Sequence, residues 1–310
     1  MIKQFNNLND FEEAFPDEAT CIDHFRALRW PDGMSCPHCG SMERVYDLKK
    51  GVHKCGDCRK KFTVRHDSIF GDSKLPLRTW FKAIFLMTSH KKGISSCQLA
   101  RDLGVTQKTG WFILNRIREA SRTEEFNRPL EGTFEADEMF VGGKERFKHM
   151  AKRNPIAIGK GSVHTKMVVF GLLHRGGDLH LEHIKKIDRK TINGIVAKRA
   201  AKGATVYSDE AQHYKWMKAG GYKHDLVRHR LGEYVRGDVT SNRIEGAFGH
   251  FKRAVTGVYH KVSDDHVNRY LTMFAWRWNR RTMSEGERVN ALLKGTKNRR
   301  ITYRQLIGKE

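Results

Sequence analysis

Cys36-Pro-His-Cys39 and Cys55-Gly-Asp-Cys58 place two pairs of thiols fifteen residues apart. Two residues between thiols let both sulfurs of a tight turn meet one ion. Two such knuckles offer four soft ligands in a tetrahedron, which suits Zn2+. A closed four-thiolate shell leaves no coordination position open. Cys36, Cys39, Cys55 and Cys58 are therefore expected to hold one structural Zn2+, stabilising a segment too small to bury a core. An iron–sulfur cluster is the alternative. His38 and His53 lie close by but are not needed as ligands, and Cys21 and Cys97 read as ordinary buried thiols.

A second chemistry is carried by carboxylates far apart in sequence. Asp137 lies in TFEADEMFV (133–141), where alternation puts Phe134, Ala136 and Phe140 on one strand face and Asp137 on the other. Asp209 stands where the apolar run ATVY ends, and Glu245 stands near the start of a helical stretch. In open α/β sheets, ligands gather beyond the carboxyl ends of strands. Carboxylates that converge there bind hard cations such as Mg2+ through oxygen. Two such ions can activate an attacking oxygen and stabilise a leaving one at phosphorus. Singly, each acid is as well explained as a helix cap or a solvated side chain. In TSNRIEGAFGHFKR (240–253), Asn242, Glu245, Gly249 and Lys252 fall along one side of a helix, and Ile244, Phe248 and Phe251 along the other. The apolar stripe is expected to anchor this helix to a sheet. Gly249 is expected to keep the polar side low enough for a DNA backbone or metal to approach.

The elements that must position these residues read as a three-part, multidomain chain of α+β and α/β character. Residues 1–65 form the zinc-ribbon region. Residues 66–128 read as helices. Residues 129–290 carry the strand pattern of an α/β unit, and 291–310 form a basic tail. Within the helical part, ISSCQLARDLGVTQKTGWFILNRIR (94–118) has the layout of a helix-turn-helix. Gly104 would end the first helix and Thr106 cap the second. Gln107, Lys108 and Thr109 would then face DNA at the start of the recognition helix, with Arg116 and Arg118 further along. The stretch from Lys144 to Lys166, which includes Lys152 and Arg153, holds seven Lys or Arg against one acid and reads as a DNA-contacting insertion.

Bulk composition agrees with a polyanionic partner. The 310 residues carry 58 Lys and Arg against 35 Asp and Glu, a formal charge of +23. Nucleic acid is the commonest such partner, and an acidic membrane surface is the rival. The apolar run WFKAIFLM (80–87) is too short to span a bilayer, and MIKQFNNLNDFEEAF lacks a signal-peptide layout. The expectation is a cytoplasmic, nucleoid-associated protein with no membrane partner.

At this level of detail the chain resembles the DDE-type transposases of bacterial insertion sequences, in particular the ISXO-like group with an N-terminal zinc ribbon. The resemblance rests on CPHCG, KCGDCRKKFTVRHDSIF, the helix-turn-helix, ADEMFVGGK, VYSDEAQHY and NRIEGAFGHFKR, in that order. It implies a ribonuclease-H-like catalytic core in which Asp137, Asp209 and Glu245 are the Mg2+-binding triad, with two ions and Mn2+ as a substitute. Glu245 and Lys252, seven residues apart, match the family's Glu…Lys signature. Lys252 would offer its charge to a phosphate near the scissile bond. Relatives with Asn or His as third ligand keep Asn242 as the alternative to Glu245, although a carboxylate binds Mg2+ better than an amide. The implied reaction is cleavage at element ends, then attack of the freed 3′-hydroxyl on target DNA, by a homo-oligomer assembled on double-stranded DNA. A catalytically silent regulator and a nuclease or resolvase of the same fold are the rival readings.

Overall fold

The computed structural model describes residues 3–48, 51–122, 129–143, 149–152 and 166–309. The chain divides into two compact units, one of Met1–Thr123 with Arg280–Glu310 and one of Glu124–Asn279.

The first unit opens with helices α1 (Leu8–Ala14) and α2 (Glu18–Arg29), begun by Asn7 and Asp17, whose side chains accept from Asp10 N and Thr20 N. Phe5, Phe11 and Phe15 are buried, and their rings meet each other and the rings of Phe81 and Phe85. Strands β1 (Val45–Asp47), β2 (Val52–Cys55) and β3 (Lys61–Thr63) make an antiparallel ribbon. Helix α3 (Leu77–Ser89) is apolar almost all round and buried accordingly. Helices α4 (Ser96–Leu103) and α5 (Gln107–Ala120) follow.

In the second unit, β4 (Thr133–Val141) is the central strand of a five-stranded sheet. Strand β5 (Met167–His174) pairs antiparallel with β4, and β6 (Leu179–Ile184) antiparallel with β5. Helix α6 (Arg189–Ala197) leads to β7 (Thr205–Ser208), parallel to β4, and β8 (Lys223–Leu226) is parallel to β7. The short hairpin β9 (Val235–Arg236) and β10 (Val239–Thr240) precedes helices α7 (Asn242–Ala254) and α8 (Asp264–Asn279). Period-two alternation along β4 feeds two cores. Phe134 and Ala136 pack with Phe170, Ile192, Val196 and Val206 on the α6 face. Met139 and Val141 pack with Val169, Ile244, Phe248, Phe251 and Leu271 on the other face. The stripe of Ile244, Phe248 and Phe251 thus anchors α7 to the sheet, while Phe140 stays half-buried.

Beyond Asn279 the chain returns to the first unit through α9 (Glu285–Lys294) and α10 (Tyr303–Leu306). Asn290 Oδ1 accepts from Nε2 of the buried His24 ring at 2.7 Å, and its Nδ2 donates to Lys3 O at 3.1 Å. Ile69 N donates to Thr296 O at 3.2 Å, and Asn298 N to Asp67 O at 2.9 Å. The expected α/β part runs to residue 290, whereas the second unit ends at Asn279. Among the described residues, no helix is long and apolar enough to cross a membrane.

Candidate active site

Three of the acids singled out by sequence come from three different elements of the second unit. Asp137 is on β4, Asp209 follows the last residue of β7, and Glu245 is in the first turn of α7. The parallel pairing of β7 with β4 brings Asp209 to the same end of the sheet as Asp137. Burial, reinforced by the neighbouring charge of Glu138 and by the charges of Asp209 and Glu245, pushes the Asp137 carboxyl up to about 8, against a bond from Glu138 N that pulls it down. The charges of Asp209 and Glu245 thus both reach Asp137. The three acids stand wider than the thiols: among the described residues, only the four cysteines gather three or more such ligand atoms within 4.8 Å. Asp209 Oδ1 accepts from Ala211 N at 3.0 Å. Glu245 Oε1 accepts from Ser241 Oγ at 2.8 Å and lies 3.7 Å from His229 Nε2.

Asn242 is exposed at the first position of α7, its own N–H donating to Thr240 Oγ1 at 3.1 Å. Lys252 is exposed two turns beyond Glu245 and has no ion-pair partner among the described residues. Gly249 lies between them, but a Cβ there would meet only the Arg253 guanidinium, 3.4 Å away.

Four features near the acids are not apparent from sequence. Glu135, two residues before Asp137 and on the same strand face, is fully buried. Its Oε2 accepts from the backbone N–H of Arg243 at 3.0 Å and of Ile244 at 3.1 Å, and its Oε1 pairs with Arg175 Nε at 3.0 Å. Two donors at the start of α7, which lack partners within the helix, are thereby satisfied by a charge on β4. Gly171, opposite Asp137 on β5, is the second feature. A Cβ there would fall 2.6 Å from Phe248 and 2.8 Å from Ile244, so glycine is what lets α7 sit this close to the sheet. The third and fourth are His213 and Tyr214. Tyr214 donates to Glu138 Oε1 at 2.5 Å, and the His213 ring lies 3.0 Å from the same atom. Burial alone would lower the His213 pKa, but the bond to Glu138 and the charges of Glu138 and Asp209 hold it above the ordinary value. Glu138 is thus tied down on the opposite strand face from Asp137.

In the first unit, Cys36 Sγ and Cys58 Sγ are 3.6 Å apart, as are those of Cys39 and Cys55. A tetrahedron with Zn–S of about 2.3 Å has sulfur–sulfur edges near 3.8 Å, so the four thiols fit a structural Zn2+. His38 N donates to Cys36 Sγ at 3.4 Å. The His53 ring turns to Asp47 Oδ1 at 2.6 Å, and neither histidine belongs to the cluster. Cys21 is buried, which pushes its thiol up to about 12, whereas Cys97 is exposed on the first turn of α4 and is not a buried thiol.

Helices α4 and α5 are joined through Gly104, left-handed at φ 64°, and Thr106, whose hydroxyl accepts from Thr109 N. A Cβ at Gly110 would fall 2.8 Å from Ser96 O, so the two helices cross in close contact at Gly110 and Ala100. Gln107 and Lys108 are exposed and Thr109 is half-buried at the start of α5. Arg116 departs from its expected place among DNA contacts. It is buried, donating from Nε to Ile301 O at 2.9 Å and from Nη1 to Ile69 O at 2.6 Å and Gly71 O at 2.8 Å. Desolvation lowers its pKa to about 10. Its position on α5 faces the interior, and it ties three segments together. Lys144 and Arg153 lie outside the described residues, and Lys152 ends a short 3-10 turn, Met150–Lys152.

Residues 129–279 match the ISXO2-like transposase domain, and residues 16–61 match the transposase zinc-ribbon domain. Over 279 residues the chain is 29% identical to an uncharacterized protein in transposable element ISH50 of Halobacterium salinarum, covering 86% of this chain and 92% of that one. No solved structure matches. These matches support an ISXO2-like transposase with an N-terminal zinc ribbon.

Proposed function

We infer that this transposase cuts and joins DNA through a metal site made by Asp137, Asp209 and Glu245. One observation carries the reading: the charges of Asp209 and Glu245 both act on a desolvated Asp137. Such an arrangement is unfavourable without a cation and is relieved by one, and its hard oxygen donors suit Mg2+ or Mn2+. Two ions bound there would activate the attacking oxygen and stabilise the leaving one. Glu245 serves as third ligand, Asn242 contacts DNA or steadies the ligands, and Lys252 meets a phosphate beside the scissile bond. Three antiparallel strands followed by two parallel to the first, with helices on both faces, support a ribonuclease-H-like core.

The ribbon and the α4–α5 pair bind element ends in this reading. Gln107, Lys108 and Thr109 face the duplex, while Lys144, Lys152 and Arg153 reach target or flanking DNA. The net charge of +23 supports such a partner. The protein acts as a homo-oligomer on paired ends. The test incubates the protein with labelled element-end DNA and Mg2+, beside Asp209→Asn. Nicking followed by joining, both lost in the variant, is expected. Nicking without joining would replace the reading by a nuclease, and DNA binding without either by a silent regulator.

A further inference from the structure

Lys297, Arg299, Arg300, Arg304 and Lys309 make residues 297–309 a run of five cations without an acid. The run is folded onto the first unit. Ile301 and Leu306 are buried, Arg116 donates to Ile301 O, and a capping box between Thr302 and Gln305 closes α10. Arg299 donates to Glu119 O at 3.3 Å and Arg300 pairs with Asp72, so these two serve the fold. Lys297, Arg304 and Lys309 remain exposed, with no ion-pair partner among the described residues. Lys309 N donates to Arg304 O at 3.0 Å, which sets two of these cations on one turn.

Tyr303 links this turn to α5. Its ring meets Trp111 at 6.4 Å and Phe112 at 6.0 Å, and the Lys108 ammonium stands 4.6 Å from its centroid. A cation over an aromatic face keeps its charge while losing freedom to sweep through solvent. The ring thus fixes Lys108 at the exposed start of α5, beside a turn that carries its own cations.

We propose that residues 297–309 and the first turn of α5 form one phosphate-binding surface for double-stranded DNA, with Arg304 and Lys309 on backbone phosphates and Tyr303 positioning Lys108. The proposal rests on the reading of α4 and α5 as the DNA-binding pair and adds the C-terminal segment to it. Duplex DNA fits because its charge recurs about every 1.7 Å of axis, and a row of cations releases counterions in proportion to the phosphates it neutralises.

The full-length protein is titrated against a fluorescently labelled duplex of mixed sequence over a series of salt concentrations. Arg304→Ala/Lys309→Ala should lower the log–log salt slope by about 1.8, the value for two phosphates, and weaken binding roughly ten-fold or more at low salt. Tyr303→Leu should weaken binding as Lys108→Ala does, add nothing to Lys108→Ala, and be rescued by Tyr303→Phe. A wild-type slope in the double variant, with unaltered melting temperature, overturns the proposal and leaves DNA binding by α4 and α5 standing. Absence of duplex binding by the wild-type protein removes both. Loss of binding to phosphatidylserine vesicles in the double variant, with DNA binding intact, would overturn it in favour of a membrane surface.

Discussion

The carboxylate of Glu135 on β4 is the N-terminal cap of α7, accepting from Arg243 N at 3.0 Å and Ile244 N at 3.1 Å. Glu135 and Asp137 share a strand face, and Glu245 lies one residue beyond Ile244. One acid thus fixes the start of the helix that carries another. Glu135→Ala leaves two helix N–H groups and Arg175 Nε without their acceptor, a loss of about 3 kcal/mol. Glu135→Gln keeps an acceptor for the N–H groups and should recover part of the stability. Denaturant unfolding of both variants checks this, with strand cleavage falling further in the alanine variant than in glutamine.

Gly171→Ala places a methyl group 2.6 Å from Phe248 and must push α7 from the sheet. Overpacking of this kind costs about 1–3 kcal/mol. Cleavage should fall with stability, because Glu245 moves with the helix. Phe248→Leu in the same chain should restore part of both, read by thermal melting and by the cleavage rate.

Asp137 gives a pH signature in the metal-free protein. Its folded pKa of about 8 stands above the ordinary 3.8, so between these values the folded chain holds a proton that the unfolded chain has lost. Unfolding stability from this group therefore falls as pH rises through that window and levels off above it. Asp137→Asn should stabilise the metal-free protein at pH 7 by about 4 kcal/mol, or roughly 12 °C, and have little effect near pH 4. Added Mg2+ should stabilise the unaltered protein and leave the variant unchanged. Melting curves at several pH values, with and without Mg2+, supply the comparison.

The thiol tetrahedron makes a compositional prediction. Protein purified under reducing conditions should hold one Zn2+ per chain, and Cys55→Ser should lose it. Because Cys36, Cys55 and Phe62 form the small core of the ribbon, metal loss should expose residues 34–63 to protease. Zinc analysis with limited proteolysis reads both effects.

How far these features were legible depends on where each constraint lies. The cysteine spacing, the turn at Gly104 and the cap at Thr106 are local patterns, and the structure shows them as read. The stripe of Ile244, Phe248 and Phe251 is local too, and it is buried. Strand β8 reads KHDL, with one buried side chain, and takes its pairing from β7 rather than from an apolar run. Arg116 has the composition of a DNA contact, and only its orientation on α5 turns it inward to three carbonyls. Glu135 looks like one more acid in EADE until α7 is laid across the sheet. Gly171 looks like a weak point in a strand until Phe248 arrives above it. In both, the reason for the residue lies more than seventy positions away.

The central claim is that Glu245 completes a metal site with Asp137 and Asp209. Strand cleavage of labelled element-end DNA at saturating Mg2+, compared between Glu245→Gln and Asn242→Ala, tests it most directly. The account predicts cleavage abolished in Glu245→Gln and only weakened in Asn242→Ala, with both variants binding DNA. Cleavage retained in Glu245→Gln and abolished in Asn242→Ala would contradict it.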